Sequence, residues 1–196
     1  MDKINVLIVD NDRSRSSLLN RSLTEYGHQV VSRVSDGKAM LLAIKDYCID
    51  VIVIGIDLPD EDILADVAKM SKISPYPVVM FAEKDAPKII NKVIKSGVST
   101  FIIDDIQPQR MTSIIQVAIA KFNEMQKLRH ELQDTKNKLA DRKIIDKAKG
   151  ILMSKNGIDE NEAYKILRKM AMNKGQNMAD ISQNIIDVFT LMNEKV

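Results

Sequence analysis

Two groups of residues in this 196-residue chain have the types and spacing to do chemistry, and they carry opposite charge. The first is a set of carboxylates behind short apolar runs: Asp10 and Asp12 after INVLIV, then Asp57, Asp60, Glu61 and Asp62 after VIVIGI, then Asp104 after TFII. Asp10, Asp12 and Asp104 could gather a hard divalent cation through their oxygens. The plainer reading of the second run is a solvated acidic turn capping a helix, with Asp60 or Asp62 at its positive end. The second group is Arg142 to Lys174, where nine Lys or Arg stand against four Asp or Glu on a chain whose total charge is only +2. On a helical wheel Lys165, Arg168, Lys169 and Met172 lie away from an apolar stripe that Tyr164 borders, while Arg142 with Lys149 and Lys143 with Lys147 flank the stripe of the helix before it. Mobile or forked cations suit phosphate contacts, and a π-face or guanidinium plane suits stacking of unpaired bases. Tyr164 and Arg168, neighbours on one helix face, could do the latter; the plainer reading is a solvated cationic surface with Tyr164 at a core edge.

The elements that must position these groups alternate over the first half of the chain. Apolar runs at Ile4–Val9, Gln29–Arg33, Asp50–Gly55, Pro77–Phe81 and Thr100–Ile103 read as strands. Between them lie amphipathic stretches near Arg13–Tyr26, Gly37–Tyr47, Glu61–Lys72 and Ala86–Ser96, and a fifth helix begins after Pro108. This pattern predicts an α/β fold, a doubly wound five-stranded parallel sheet of order 2-1-3-4-5, with any site outside the carboxyl ends of the strands. From Pro108 no Pro or Gly occurs until Gly150, which predicts one long helix. Within it Met125, Leu128, Leu132, Thr135 and Leu139 alternate spacings of three and four, a seam suited to a short parallel coiled coil and hence a homodimer. A single solvated helix held by pairs such as Asp134 with Lys138 is the competing reading. Beyond it, Gly157 stops a helix bearing Ile144, Ile145, Ala148, Ile151 and Leu152. Asp159 with Glu162 caps the next, with Ala163, Ile166, Leu167, Met170 and Ala171 inward, and Asn177 with Asp180 caps a last one with Ile181, Ile185, Val188 and Met192 inward. The predicted division is a sheet domain over 1–120, a coiled-coil helix over 121–141 and a three-helix bundle over 142–196.

Composition narrows the classes. No apolar run approaches the roughly 20 residues that span a bilayer, and MDKINVLIVD has no secretory pattern, so a cytoplasmic location is expected. The lone Cys48 has neither a disulfide partner nor neighbouring His or Cys for a metal site, and reads as a buried packing residue. With no Trp, four Tyr and four Phe, an extended base-stacking platform is not expected. Charge divides unevenly: residues 1–120 hold 14 basic and 16 acidic side chains, residues 121–196 hold 15 and 11.

IVDND, VIVIGIDLPDED, PVVMFAE and GVSTFIID, at the ends of the first, third, fourth and fifth strands, resemble the response-regulator receiver family. That resemblance implies a phosphoryl-accepting aspartate after the third strand, an acidic pair holding Mg²⁺ after the first, a hydroxyl after the fourth and a lysine after the fifth. Here the acceptor position, four before Pro59, is Gly55; the acidic pair becomes Asp10 and Asn11, with Asp12 following; the hydroxyl position is Ala82 and the lysine position is Asp104. Acyl-phosphate chemistry needs a carboxylate nucleophile, a cation and fixed partners for the transferred oxygens. Glycine supplies no nucleophile, and Asp57, two residues on, is displaced in a reaction that needs near-ångström placement. The expectation is a pseudo-receiver that is not an enzyme, has no required cofactor, and keeps Mg²⁺, if any, as a relic. A phosphorylation-switched regulator using Asp57 is the alternative.

DRKIIDKAKGILM, EAYKILRKMAM and NMADIS resemble the ANTAR domain of the AmiR and NasR type of transcription antiterminators, and over its length the chain is similar to the NasT type of nitrate-assimilation regulators, which also carry Asp at the strand-five position. The resemblance implies an RNA-binding antiterminator that holds paired hairpins in nascent messenger RNA and prevents termination, governed by a separate sensor protein that binds the receiver-like domain. The RNA-binding residues it points to are Arg142, Lys143, Lys147, Lys149, Tyr164, Lys165, Arg168 and Lys169. A DNA- or protein-binding output module stays open, because the Lys155–Asp159 turn is nearly tight enough for a helix-turn-helix.

Overall fold

The computed structural model describes residues 3–84, 89–103 and 107–193. The chain divides into two compact units, Met1–Gln126 and Lys127–Val196. In the first, β1 (Asn5–Val9), β2 (Gln29–Val34), β3 (Val51–Ile56), β4 (Val78–Ala82) and β5 (Thr100–Ile103) form one sheet of order β2-β1-β3-β4-β5. Every pairing is parallel. This is the expected fold class.

Period-two alternation of the strands feeds two cores. Val6, Ile8, Val51 and Val53 pack on Leu19 and Leu23 of α1 (Arg13–Glu25) and on Met111, Ile115 and Ala118 of α5 (Pro108–Asn156). Leu7, Val9, Ile52 and Ile54 face the other way, onto Met40 of α2 (Gly37–Asp46), Val67 and Met70 of α3 (Glu61–Ile73), and Val93 of α4 (Ile90–Ser96). Burial of each such side chain contributes about 1.5–3 kcal/mol, so the sheet is fixed from both sides and its carboxyl ends form a rigid rim. Aspartates start three helices: Asp12, Asp36 and Asp60 accept backbone N–H bonds from Arg15, Ala39 and Ile63. Of the expected fourth helix, Ile90–Ser96 is described, and its predicted start lies partly outside the described residues.

The second unit is built from the C-terminal part of the 49-residue α5, from α6 (Glu160–Lys174) and from α7 (Met178–Asn193). Gly157 takes φ +63°, and its N–H bonds Met153 O at 3.0 Å, which ends α5 in a conformation a side chain would strain. Asp159 then accepts from Glu162 N at 2.8 Å and Asn177 from Asp180 N at 2.7 Å, the two expected caps. Ala148, Leu167, Ala171, Ile181 and Ile186 form the core, with Ile144, Ile145, Ile151, Leu152, Met170, Met178 and Ile185 packed around it.

Three packing expectations are corrected. On α7, Val188 and Met192 are 55% and 70% exposed, whereas Ile186 is buried. The buried face is rotated toward Ser182, which is fully buried with its hydroxyl donated to Met178 O at 2.7 Å; a small hydroxyl satisfied within its own helix fills a place that an apolar stripe does not reveal. Ile166 is also largely at the surface of α6, since Ala163, Leu167 and Ala171 take the inward positions. Cys48 is exposed, because its neighbour Ile49 takes the buried place at the entry to β3. Among the described residues no helix is long and apolar enough to cross a membrane.

Candidate functional site

At the carboxyl rim of the first unit the chain leaves β1 at Asp10, whose side chain is fully buried. Asp12 N donates to Asp10 Oδ1 at 2.8 Å, and Asp12 in turn caps α1 by accepting from Arg15 N at 2.7 Å. This turn brings Arg15 onto the buried face of α1 with Ser16, Leu19, Ser22 and Leu23, and returns its side chain over the strand ends. The guanidinium grips Asp10 twice, Nε to Oδ2 and Nη2 to Oδ1, both at 2.9 Å. Its Nη1 reaches Asp57 Oδ1 after β3 and Glu83 Oε1 after β4, each at 2.7 Å. Backbone bonds join the same two loops, Glu83 N to Ile56 O at 3.2 Å and Lys84 N to Asp57 O at 3.0 Å. One arginine thus ties the ends of three adjacent strands.

The electrostatics follow. Burial pushes the Asp10 carboxyl up, against hydrogen bonds from Arg15 and Asp12 N that pull it down. Burial also works against the Arg15 charge, but hydrogen bonds to Asp10, Asp57 and Glu83 outweigh it and drive its pKa above the ordinary arginine value. Asp57, 60% exposed, is held below the usual carboxylate range by the Arg15 hydrogen bond. Asn11 is exposed, Ala82 is buried at the end of β4, and Asp104 lies outside the described residues.

Gly55 completes the arrangement from β3. A Cβ there would overlap Asp10 Oδ2 and stand 3.1 Å from Arg15 Nε. The receiver fold implies Mg²⁺ at this rim, and the residues present do not fit it. Both Asp10 oxygens are engaged by Arg15, one of them by Asp12 N as well, and a fixed positive charge already stands between Asp10 and Asp57. The sequence alone does not single out Arg15, since an isolated arginine in a first helical turn is ordinarily solvated. Its place on the Leu19 and Leu23 face, five residues past the strand-end Asp10, is the signal that could have found it.

In the second unit the expected contact residues divide. Lys149 Nζ is bonded to Asp146 Oδ1 and Glu160 Oε1, both at 2.7 Å, and its side chain is only 14% exposed. It braces α5 to the start of α6 rather than reaching outward. Arg142 stands 4.0 Å from Asp146, at the edge of an ion pair. Lys143, Lys147, Lys165, Arg168 and Lys169 are exposed and make no ion pair among the described residues. Tyr164, 43% exposed, lines a groove of about 660 Å³ between α5 and α6 with Ile145, Gly150, Met153 and Met178. A Cβ at Gly150 would meet nothing within 4 Å, so the α5 wall of this groove is open. Along the preceding stretch of α5, Met125, Leu128, Leu132 and Leu139 are each at least half exposed, and side-chain bonds formed there include Gln133 Nε2 to Asn137 Oδ1 at 2.9 Å and Thr135 Oγ1 to Glu131 O at 2.8 Å.

Known families match two separate stretches of the chain. The response regulator receiver domain matches residues 6–116 and the ANTAR domain matches 133–186. The transcriptional regulatory protein PdtaR of Mycobacterium tuberculosis is 20% identical over 182 residues, covering 93% of this chain and 89% of that protein. The nitrate regulatory protein of Klebsiella oxytoca is 42% identical over 69 residues, 35% of this chain and 17% of that protein. The aliphatic amidase regulator of Pseudomonas aeruginosa is 25% identical over 109 residues, 56% of each. Among solved structures, the NarL receiver domain of Mycobacterium tuberculosis has a TM-score of 0.54 at 22% identity, covering 60% of this chain and 98% of that one, and a CheY-like receiver of Methanospirillum hungatei has 0.55 at 18%, covering 63% and 99%. With the receiver match spanning more than half its length, the chain belongs to the response regulator receiver family and carries an ANTAR domain behind its receiver.

Proposed function

We propose that this protein is a non-enzymatic, RNA-binding transcription antiterminator that holds hairpins of nascent messenger RNA and so prevents a terminator from forming. The observation that carries the reading is the exposed cationic face of α6, Lys165, Arg168 and Lys169, without ion-pair partners among the described residues and beside the half-exposed Tyr164, inside the segment that matches the ANTAR domain. Cations not satisfied within the fold are available to phosphates, and Tyr164 with Arg168 offers a stacking surface for loop bases. The exposed Met125, Leu128, Leu132 and Leu139 seam supports a homodimer that presents two such faces to a paired-hairpin target.

Control, in this reading, runs through a pseudo-receiver in the cytoplasm that binds a sensor protein instead of accepting a phosphoryl group. Gly55 offers no nucleophile, and Asp57 is engaged by Arg15. A gel-shift comparison of hairpin RNA with duplex DNA at equal salt tests the output: RNA preference is expected, and preference for the duplex would remove the reading. Intact mass after exposure to a small phosphodonor with Mg²⁺ tests the input, where a stoichiometric phosphoryl adduct would restore the switch through Asp57.

A further inference from the structure

We propose that Arg15 is the resident cation of the receiver rim: its guanidinium stands in for the divalent ion that this fold implies and closes the site to metal. The proposal rests on reading the first unit as a receiver without phosphotransfer, and it states how the carboxylates left there are held.

Three observations converge on it. The fork geometry is complete, with two bonds to the fully buried Asp10 carboxylate and a third and fourth from Nη1 to Asp57 and Glu83. Each partner comes from a different strand end, so Arg15 supplies the cross-strand tie that a coordinated ion would supply, through directed N–H donors instead of an oxygen shell. Gly55 is the second observation. Any side chain at this position would overlap the Asp10 carboxylate as Arg15 holds it, and would crowd Nε. The glycine and the arginine are therefore one change in two places: the space where an acceptor side chain would stand is the space this ion pair needs. The third is the lone-pair account at Asp10. Oδ1 already accepts from Asp12 N and Arg15 Nη2, and Oδ2 from Nε. A hard cation brought to the remaining lone pair would sit against a guanidinium that cannot lose its proton. Lysine would not substitute, since a single ammonium cannot take both oxygens of Asp10 and still reach two loops.

The test uses the full chain with Mn²⁺ as the probe, read by loss of the free-ion electron paramagnetic resonance signal, alongside thermal unfolding with and without millimolar Mg²⁺. The unaltered chain is expected to leave the Mn²⁺ signal intact and to unfold at the same temperature in both conditions. Arg15→Ala uncovers Asp10, Asp57 and Glu83 together and is expected to bind Mn²⁺ at least about tenfold more tightly. Should that variant fail to fold, Arg15→Met, which keeps the apolar stem, carries the same expectation. Tight Mn²⁺ binding by the unaltered chain, a rise in its unfolding temperature with Mg²⁺, or a folded variant that binds no better each overturns the proposal. A phosphoryl adduct on the unaltered chain would remove the pseudo-receiver reading beneath it, whereas Mn²⁺ binding without an adduct removes this proposal alone.

Discussion

Arg15 and Arg168 are the same chemical group in opposite settings. Arg15 is 8% exposed and its donors go to three carboxylates of its own chain, whereas Arg168 is exposed and makes no ion pair among the described residues. The difference separates architecture from recognition. A guanidinium satisfied inside the fold fixes strand ends and has little left to offer a ligand; one left unsatisfied costs the fold almost nothing and keeps its donors for phosphate or base. Net charge conceals this, because each unit contains both kinds of cation and only their partners tell them apart.

The sharpest way to break the comparison is to exchange the two losses. Arg15→Ala leaves the buried Asp10 charge without its partner, which costs roughly 3–5 kcal/mol in such settings and lowers the unfolding temperature of the first unit by roughly 10 °C or more. Arg168→Ala is expected to leave unfolding within about 0.5 kcal/mol of the unaltered chain. Calorimetry on the two variants decides it, and equal stability losses would end the distinction.

Gly55→Ala is expected to cost about 1–3 kcal/mol, as overpacking does in a filled interior. Its added methyl must displace the Asp10 carboxylate. In the background of Arg15→Ala the same substitution should cost less, since the carboxylate is then able to turn away; chemical denaturation of the two singles and the double measures that coupling. Additive losses would mean that glycine and arginine are independent.

The second unit gives the converse. Arg168→Ala is expected to weaken hairpin RNA by about 1–3 kcal/mol and to reduce the salt slope of binding by about one if its contact is to phosphate. Lys149→Ala, which removes a cation already bonded to Asp146 and Glu160, should shift affinity far less and cost at most about 1 kcal/mol of stability. A larger affinity loss in Lys149→Ala than in Arg168→Ala would show that pairing within the fold does not decide which cation recognises RNA.

Much of this was legible in the residues. The sheet order followed from alternating apolar runs, and the caps at Asp159 and Asn177 followed from short-range spacing, because both are set by local periodicity and by hydrogen bonds three residues apart. The glycine four before Pro59 was visible in the sequence as Gly55. The ion pair of Arg15 beside it was not, because it joins residues far apart in sequence, Arg15 with Asp57 and Glu83, through contacts that only the closed sheet creates. The α7 face was misplaced for a related reason: Ser182 is polar by composition yet satisfies its hydroxyl within the helix, so it packs as a small core residue. Lys149 differs from its neighbours through Asp146 on its own helix and Glu160 at the start of α6, and a wheel drawn for one helix cannot show the second.

The smallest effect expected lies in pH and again distinguishes the units. Asp57 and Asp146 are each held low by a hydrogen bond from a cation, Arg15 in one unit and Lys149 in the other. Their contributions are present above the ordinary value of 3.8 and are lost as pH falls through the lower folded values, so strong acid weakens both units. His28 behaves differently and belongs to the first unit alone. It is 5% exposed, its Nε2 lies 3.3 Å from Thr112 Oγ1, its Nδ1 has no partner among the described residues, and burial holds its pKa below the ordinary 6.5. Between that folded value and 6.5 the unfolded chain binds more protons than the native one, so stability rises with pH; it is complete above 6.5 and is lost as pH falls toward the folded value. Hydrogen exchange resolved by peptide should therefore show β1, β2 and α1 loosening between neutral and mildly acidic pH while α6 and α7 hold their protection. His28→Asn, which keeps a partner for Thr112, should flatten the response, and a slope that persists in the variant, or that appears equally in α6, would assign the titration to another group.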